Sequence, residues 1–284
     1  MSQEIPSYLL AFHVGDLTLD VLEGDTEVWT WAEADQMDDA LLGLGNSTDI
    51  LDFYVEEFGP YPFGHYGNVI SPYTLGGMEN PTVVTFSDAY IGEEFLAATE
   101  YINAHEMAHH WFGDMVTPTD WPDIWLNEGF ATYCQILWDE HAYGEDRRIE
   151  DTLNLIEYGT GYDDAPLTEP DDLFTPLVYY KGALVLHMLR GVVGDAAFFE
   201  ILRTWADENA WSTVTSEGFA AHAEAVSGED LGWFFDEWLD GVGVPDWQTT
   251  FAATEVADGV WQLDVHIVQD DPSYSMPTEI ATGE

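Results

Sequence analysis

Residues 103–114 read NAHEMAHHWFGD, with three histidines and a glutamate between His105 and His110. The chain holds nine histidines in 284 residues, so a third of them fall in this one stretch. Upstream and through it, Phe95, Ala98, Ile102, His105, His109 and Phe112 recur at steps of three and four. That spacing predicts a helix over residues 93–112 whose buried stripe carries His105 and His109 inward. Residues four apart on a helix have Cβ atoms about 5–6 Å apart, close enough for two imidazoles to meet on one ion. Glu106 lies about 100° round the helix from His105, which places its carboxylate beside such an ion rather than on it. H-E-x-x-H at 105–109 therefore offers two metal ligands and a general base. The competing reading is an interior histidine pair satisfied by hydrogen bonds. His110 faces away from the stripe and reads as a surface residue or one behind the ligands.

Working outward, WLNEGFATY at 125–133 falls on a second predicted helix, 124–142, with its own apolar stripe of Leu126, Phe130, Tyr133, Cys134 and Leu137. Glu128 sits off that stripe, early in the helix, where a carboxylate can point at a metal. Eighteen residues separate it from His109. Zinc takes neutral imidazole and carboxylate, and in catalytic sites accepts three protein ligands plus water. His105, His109 and Glu128 are the expected set. Cys134, the sole cysteine, excludes an intrachain disulfide and reads as a small core residue.

Residues 8–31 alternate apolar and polar positions around Gly15 and Gly24, predicting two or three strands. Helical spacing covers 32–58 and stops at the turn-rich GPYPFG. Short strands are expected at 67–71 and 82–86, on either side of TLGGMENP. Helices are expected at 146–158, 177–193, 195–208, 216–227 and 230–240, and strands return after Pro245. The order is β, a large helical body, then β.

The charge is extreme: 55 acidic residues against one lysine and four arginines, a formal −50. Such a surface repels nucleic acid phosphates and anionic membranes, so neither is an expected partner. It reads as adaptation to a salt-rich milieu, where screening relieves self-repulsion. No signal peptide is visible and no run approaches the ~20 apolar residues of a membrane helix. The expected protein is soluble, in the cytoplasm of a salt-rich cell or secreted with its signal removed.

H-E-x-x-H, eighteen residues, then Glu, with WFGD after the second His and WLNEGFA around the Glu, resembles the aminopeptidase N family of zinc metallopeptidases. GGMEN at 76–80, YYKGA at 179–183 and YLLAFHVG at 8–15 resemble further family segments. The resemblance covers about residues 6–270 and implies an α/β fold with a thermolysin-like, mostly helical catalytic domain at 32–241. Residues 1–31 then correspond to a remnant of an N-terminal β domain, and 242–284 to part of a C-terminal β segment. It implies one zinc on His105, His109 and Glu128, with Glu106 as base. Glu79 is similar to the residue that binds the substrate's α-amino group, and the Gly76, Gly77 and Met78 backbone would flank the substrate as an added strand. Tyr179 matches the tyrosine that stabilises the tetrahedral intermediate, and Tyr180 occupies the variable position. The implied activity is hydrolysis of N-terminal residues from peptides with a free amine by a zinc-activated water. No second amine-binding group is visible, and no basic residue near the motifs to hold a substrate carboxylate. The alternatives are a metallo-endopeptidase with an open cleft and an inactive acidic binding module.

Overall fold

The computed structural model describes residues 5–159, 165–170, 172–269 and 274–275. A 3-10 turn at Ser7–Leu9 comes first, and residues 10–14, expected to be strand, pair with no described strand. β1 (Leu17–Leu22) and β2 (Val28–Glu33) form an antiparallel pair. Helices α1 (Met37–Gly43) and α2 (Ser47–Phe58) follow, and α2 stops at Gly59, whose φ of +99° suits only glycine. β3 (Tyr66–Ser71), β4 (Gly77–Met78) and β5 (Val84–Ser87) complete a five-stranded sheet of order β1-β2-β3-β5-β4. All six residues of β3 are buried, as befits a central strand parallel to both neighbours. The sheet runs unbroken across residue 31. β4 is an antiparallel edge strand on β5, so its outer backbone edge is free for an extended partner.

α3 (Leu96–Ala108) is shorter than the expected 93–112: a 3-10 turn at Glu93–Phe95 precedes it and the chain turns after His109. The turn is closed by Asp114 N–H donating to the His109 carbonyl at 2.9 Å, and Gly113 (φ +142°) permits it. β6 (Val116–Pro118) follows, then α4 (Trp125–Tyr143) and α5 (Glu145–Gly159). α6 (Gly182–Val193), α7 (Asp195–Glu208), β7 (Ser212–Val214), α8 (Ser216–Ser227) and α9 (Gly232–Phe235) complete the helical body, with β7 parallel to β6. The stretches expected as single helices at 177–193 and 230–240 instead contain π-turns at Leu177–Lys181 and Asp236–Asp240. β8 (Trp247–Ala257) and β9 (Val260–Gln269) form an exposed antiparallel hairpin, and residues 270–273 and 276–284 of the expected C-terminal segment lie outside the described residues.

Two expected helix faces are corrected. Every residue of α4 from Trp125 to Asp139 is buried, so the helix has no single apolar stripe; α3, α5 and α6 pack around it. On α3 the core face is Thr99, Asn103, Ala104, Met107 and Ala108. Phe95 is exposed, and Ala98 and Ile102 line a cleft instead. Cleft walls and cores are both apolar, so the spacing signal does not separate them. The polar Asn103 is buried because it is satisfied, accepting from Tyr66 at 2.8 Å and donating to Ser47 Oγ at 2.9 Å. No helix among the described residues is long and apolar enough to cross a membrane.

Candidate metal and peptide-binding site

The C-terminal end of α3 brings His105 and His109 against the first turn of α4, which carries Glu128. A carboxylate in a first turn is favoured by the positive end of the helix dipole. His105 Nε2 lies 3.1 Å from His109 Nε2 and 3.2 Å from Glu128 Oε2, and His109 Nε2 lies 3.3 Å from that same oxygen. Atoms bound at about 2.0–2.1 Å to a shared tetrahedral zinc stand about 3.3–3.4 Å apart, so this triangle fits the ion.

The outward nitrogens are also arranged for a metal. His105 Nδ1 donates to Gln135 Oε1 at 3.2 Å, and Gln135 is itself held by donating to the Tyr101 carbonyl at 2.8 Å. His109 Nδ1 donates to the Phe112 carbonyl at 3.2 Å. With both Nδ1 atoms protonated, both Nε2 lone pairs face the triangle. Burial opposes charge on His109, yet Glu128 and the more distant Glu79 and Glu106 push it up to about 10. Burial likewise works against the Glu128 carboxylate, and His109 and His105 hold it below the usual range. The cluster draws positive charge to its centre.

Glu106 is buried beside the triangle, and burial raises its pKa well above the ordinary value, with His109 opposing and Glu79 and Glu128 adding to the rise. Carboxylate oxygens of Glu79 and Glu106 and a nitrogen of His109 all lie within 4.8 Å of one another. Gly77 passes so close that a Cβ there would collide with the Glu106 carboxylate. Only glycine lets β4 run over the Glu106 carboxylate, and Gly76 (φ +94°) makes the approach. Tyr179, in the first π-turn, stacks on His105 with ring centroids 6.1 Å apart. Burial and the neighbouring Glu128 carboxylate raise its phenol well above the ordinary value, so it remains a proton donor.

His105, Glu106, His109, Glu128, Tyr179, Glu79 and the Gly76–Met78 backbone thus line one cleft of about 930 Å³. Of the two readings of His110, burial excludes the surface one: it is fully buried, with Nδ1 2.7 Å from the Tyr61 hydroxyl and Nε2 3.8 Å from Asp114. Burial lowers its pKa to about 3, which keeps it neutral. Cys134 is buried, as expected.

The sequence reading missed Gln135, Tyr8, Trp121 and Arg147, all of which line the cleft. Gln135 lies seven residues beyond Glu128, on the same face of α4, a spacing that could have flagged it. Arg147 is a basic residue in the cleft after all, although Asp139 at 3.1 Å and Asp151 at 3.2 Å already hold it.

A H-E-x-x-H helix, a glutamate on the following helix and a glycine-rich edge strand together give the residue pattern of a gluzincin-type metal site. Residues 42–238 match the Peptidase family M1 domain, and the chain belongs to that family. Aminopeptidase M1 of Arabidopsis thaliana is 29% identical over 92% of this chain and 32% of its own length. Aminopeptidase N of Lactococcus lactis is 31% identical over 84% of this chain and 31% of its own length. The crystal structure of an M1 zinc metallopeptidase from Deinococcus radiodurans matches with a TM-score of 0.75 at 29% identity, over 85% of this chain and 55% of that one. A mutant of that protein was solved bound to a Tyr-Ser-Ala substrate. The chain spans about a third of the length of these curated relatives. Zinc is the metal of the family.

Proposed function

We propose that this chain carries the catalytic site of a zinc aminopeptidase that removes single N-terminal residues from peptides with a free amine. The spacing of Glu79 from Glu106 and His109, within 4.8 Å, carries the reading. In one residue the amine and carbonyl carbon are about 2.5 Å apart, and each further residue adds about 3.3–3.6 Å. An ammonium on Glu79 therefore leaves room for only the first carbonyl at the metal side. His105, His109 and Glu128 hold zinc, which when bound supplies Lewis acidity toward water and the substrate carbonyl. Glu106 takes the proton of the attacking water and returns it to the departing amine. Tyr179 donates to the carbonyl oxygen as negative charge develops there. The free edge of β4 accepts the peptide as an added strand, with Gly76, Gly77 and Met78 beside it. All of these groups fall within residues 32–241, which we take as the catalytic domain; β1 and β2 share its sheet, so residue 31 marks no break in the fold, and the β8–β9 hairpin follows it in the chain.

The test is a ten-residue peptide incubated with the protein, free and N-acetylated, with product masses followed in time. Stepwise loss of single N-terminal residues from the free peptide alone, abolished by a chelator and restored by zinc, is the expected result. Internal cuts indifferent to acetylation would replace this reading with an endopeptidase. No cleavage by the zinc-replete protein would favour a binding module.

A further inference from the structure

We infer that Tyr8 is a positioning residue of the amine subsite: its hydroxyl donates to Glu79 and offers its oxygen to the substrate ammonium. The inference rests on the aminopeptidase reading above. Tyr8 is 71 positions from Glu79, yet its hydroxyl lies 3.1 Å from Glu79 Oε1. Two adjacent contacts make the placement a built one. Asn80, next to Glu79, donates its side-chain amide to the Leu9 carbonyl at 2.9 Å, and Leu9 is buried at 1% exposure. Asn80 is itself oriented by Thr85, whose hydroxyl donates to Asn80 Oδ1 at 2.6 Å. The turn carrying Tyr8 is thus pinned to the GGMEN segment at two successive residues.

The chemistry of a phenol at this point is specific. Its single proton is committed to Glu79, which aims that carboxylate and leaves its second oxygen for a cation. Of the two lone pairs on the phenol oxygen, one receives the Asn127 amide at 3.4 Å. The other meets no donor among the described residues and can accept from an ammonium, whose three N–H groups seek more than one acceptor. Burial, then the Glu79 and Asp114 carboxylates, raise the phenol well above its ordinary value, so its proton stays in place. Trp121 lies against the Tyr8 ring with centroids 5.4 Å apart and lines the same cleft, fixing the ring from the other side. Tyr8 supplies the second amine-binding group that the sequence did not reveal.

The experiment compares Tyr8→Phe with the wild type, both zinc-replete, on leucine amide and a leucine-initiated peptide. Phenylalanine retains the ring and its contact with Trp121, so the melting temperature should match that of the wild type. Losing one hydrogen bond to a charged partner should raise KM about tenfold while kcat moves less than about threefold. Calorimetry gives a readout independent of turnover: the affinity for free L-leucine should fall about tenfold and that for N-acetyl-leucine should not change. An unchanged KM and leucine affinity, or a fall in kcat alone, overturns the inference. If the wild type discriminates against acetylated peptides and Tyr8→Phe keeps that preference with wild-type KM, the role of Tyr8 fails and the aminopeptidase reading stands. If the wild type is indifferent to acetylation, both fail.

Discussion

At the scale of single residues, the difference between Tyr179 and Tyr180 is one position in a π-turn. Tyr179 stacks on His105 and faces Glu128, whereas Tyr180 lines the same cleft with its Cβ beside Gly159, where an added Cβ would meet it at 3.3 Å. Tyr179→Phe should lower kcat by ~10²–10³-fold with little change in KM, as expected when one donor to a developing oxyanion is lost. Steady-state kinetics of the two single variants check this, and a large loss in Tyr180→Phe alone would exchange their roles. His105, Glu106 and His109 stood out without any structure because H-E-x-x-H is a property of one helix turn. The tyrosine did not: only the Tyr-x-Lys-Gly resemblance pointed to it, since a tyrosine among apolar residues otherwise reads as core.

At the scale of elements, α4 and the start of α6 meet backbone to backbone. A Cβ on Gly129 would lie 2.8 Å from the Gly182 Cα, and one on Gly182 would lie 2.9 Å from the Gly129 Cα. Gly129 directly follows Glu128, and Gly182 lies three residues after Tyr179. Gly182→Ala should therefore cost about 1–3 kcal/mol by overpacking. Thermal unfolding should show a lower melting temperature, and kcat should fall with it. The α4–α5 junction makes a different prediction. Burial and the paired Asp139 raise Asp151 to about 7, with Arg147 opposing. The folded pKa lies above the unfolded one, so the native state binds more protons between the two values. The stability contributed here is present at low pH and lost as pH rises through about 7. Relative to Asp151→Asn, which cannot titrate, the wild type should lose stability between about pH 5 and about pH 8 in chemical denaturation.

At the scale of the whole molecule, charge dominates. The arginines are engaged within the fold: Arg147 with Asp139 and Asp151, Arg148 and Arg190 with Glu140, and Arg203 near Glu57. Five basic side chains cannot neutralise 55 acidic ones, and the surplus repels across the surface. At molar salt the Debye length is about 3 Å, so most of that repulsion is screened. The melting temperature should rise between dilute buffer and molar KCl. A flat or falling curve would count against a fold adapted to salt.

The sequence by itself determined what is local. Helical spacing put His105, Glu106 and His109 at one helix end, and glycines marked where backbones approach closely, as Gly77 does over Glu106. It also determined the family-level α/β order, because strand and helix periods differ. Tertiary packing decided the rest. The apolar residues of α3 that looked like core line a cleft, because periodicity reports a shared face and not what that face meets. His110 is buried rather than exposed because Tyr61 covers it from a loop 49 positions away. Gln135 and Tyr8 join the site across 30 and 71 positions, through hydrogen bonds that form only once the sheet, α3 and α4 are packed. Contacts of that range are set by the packing of whole elements, and no spacing along the chain encodes them.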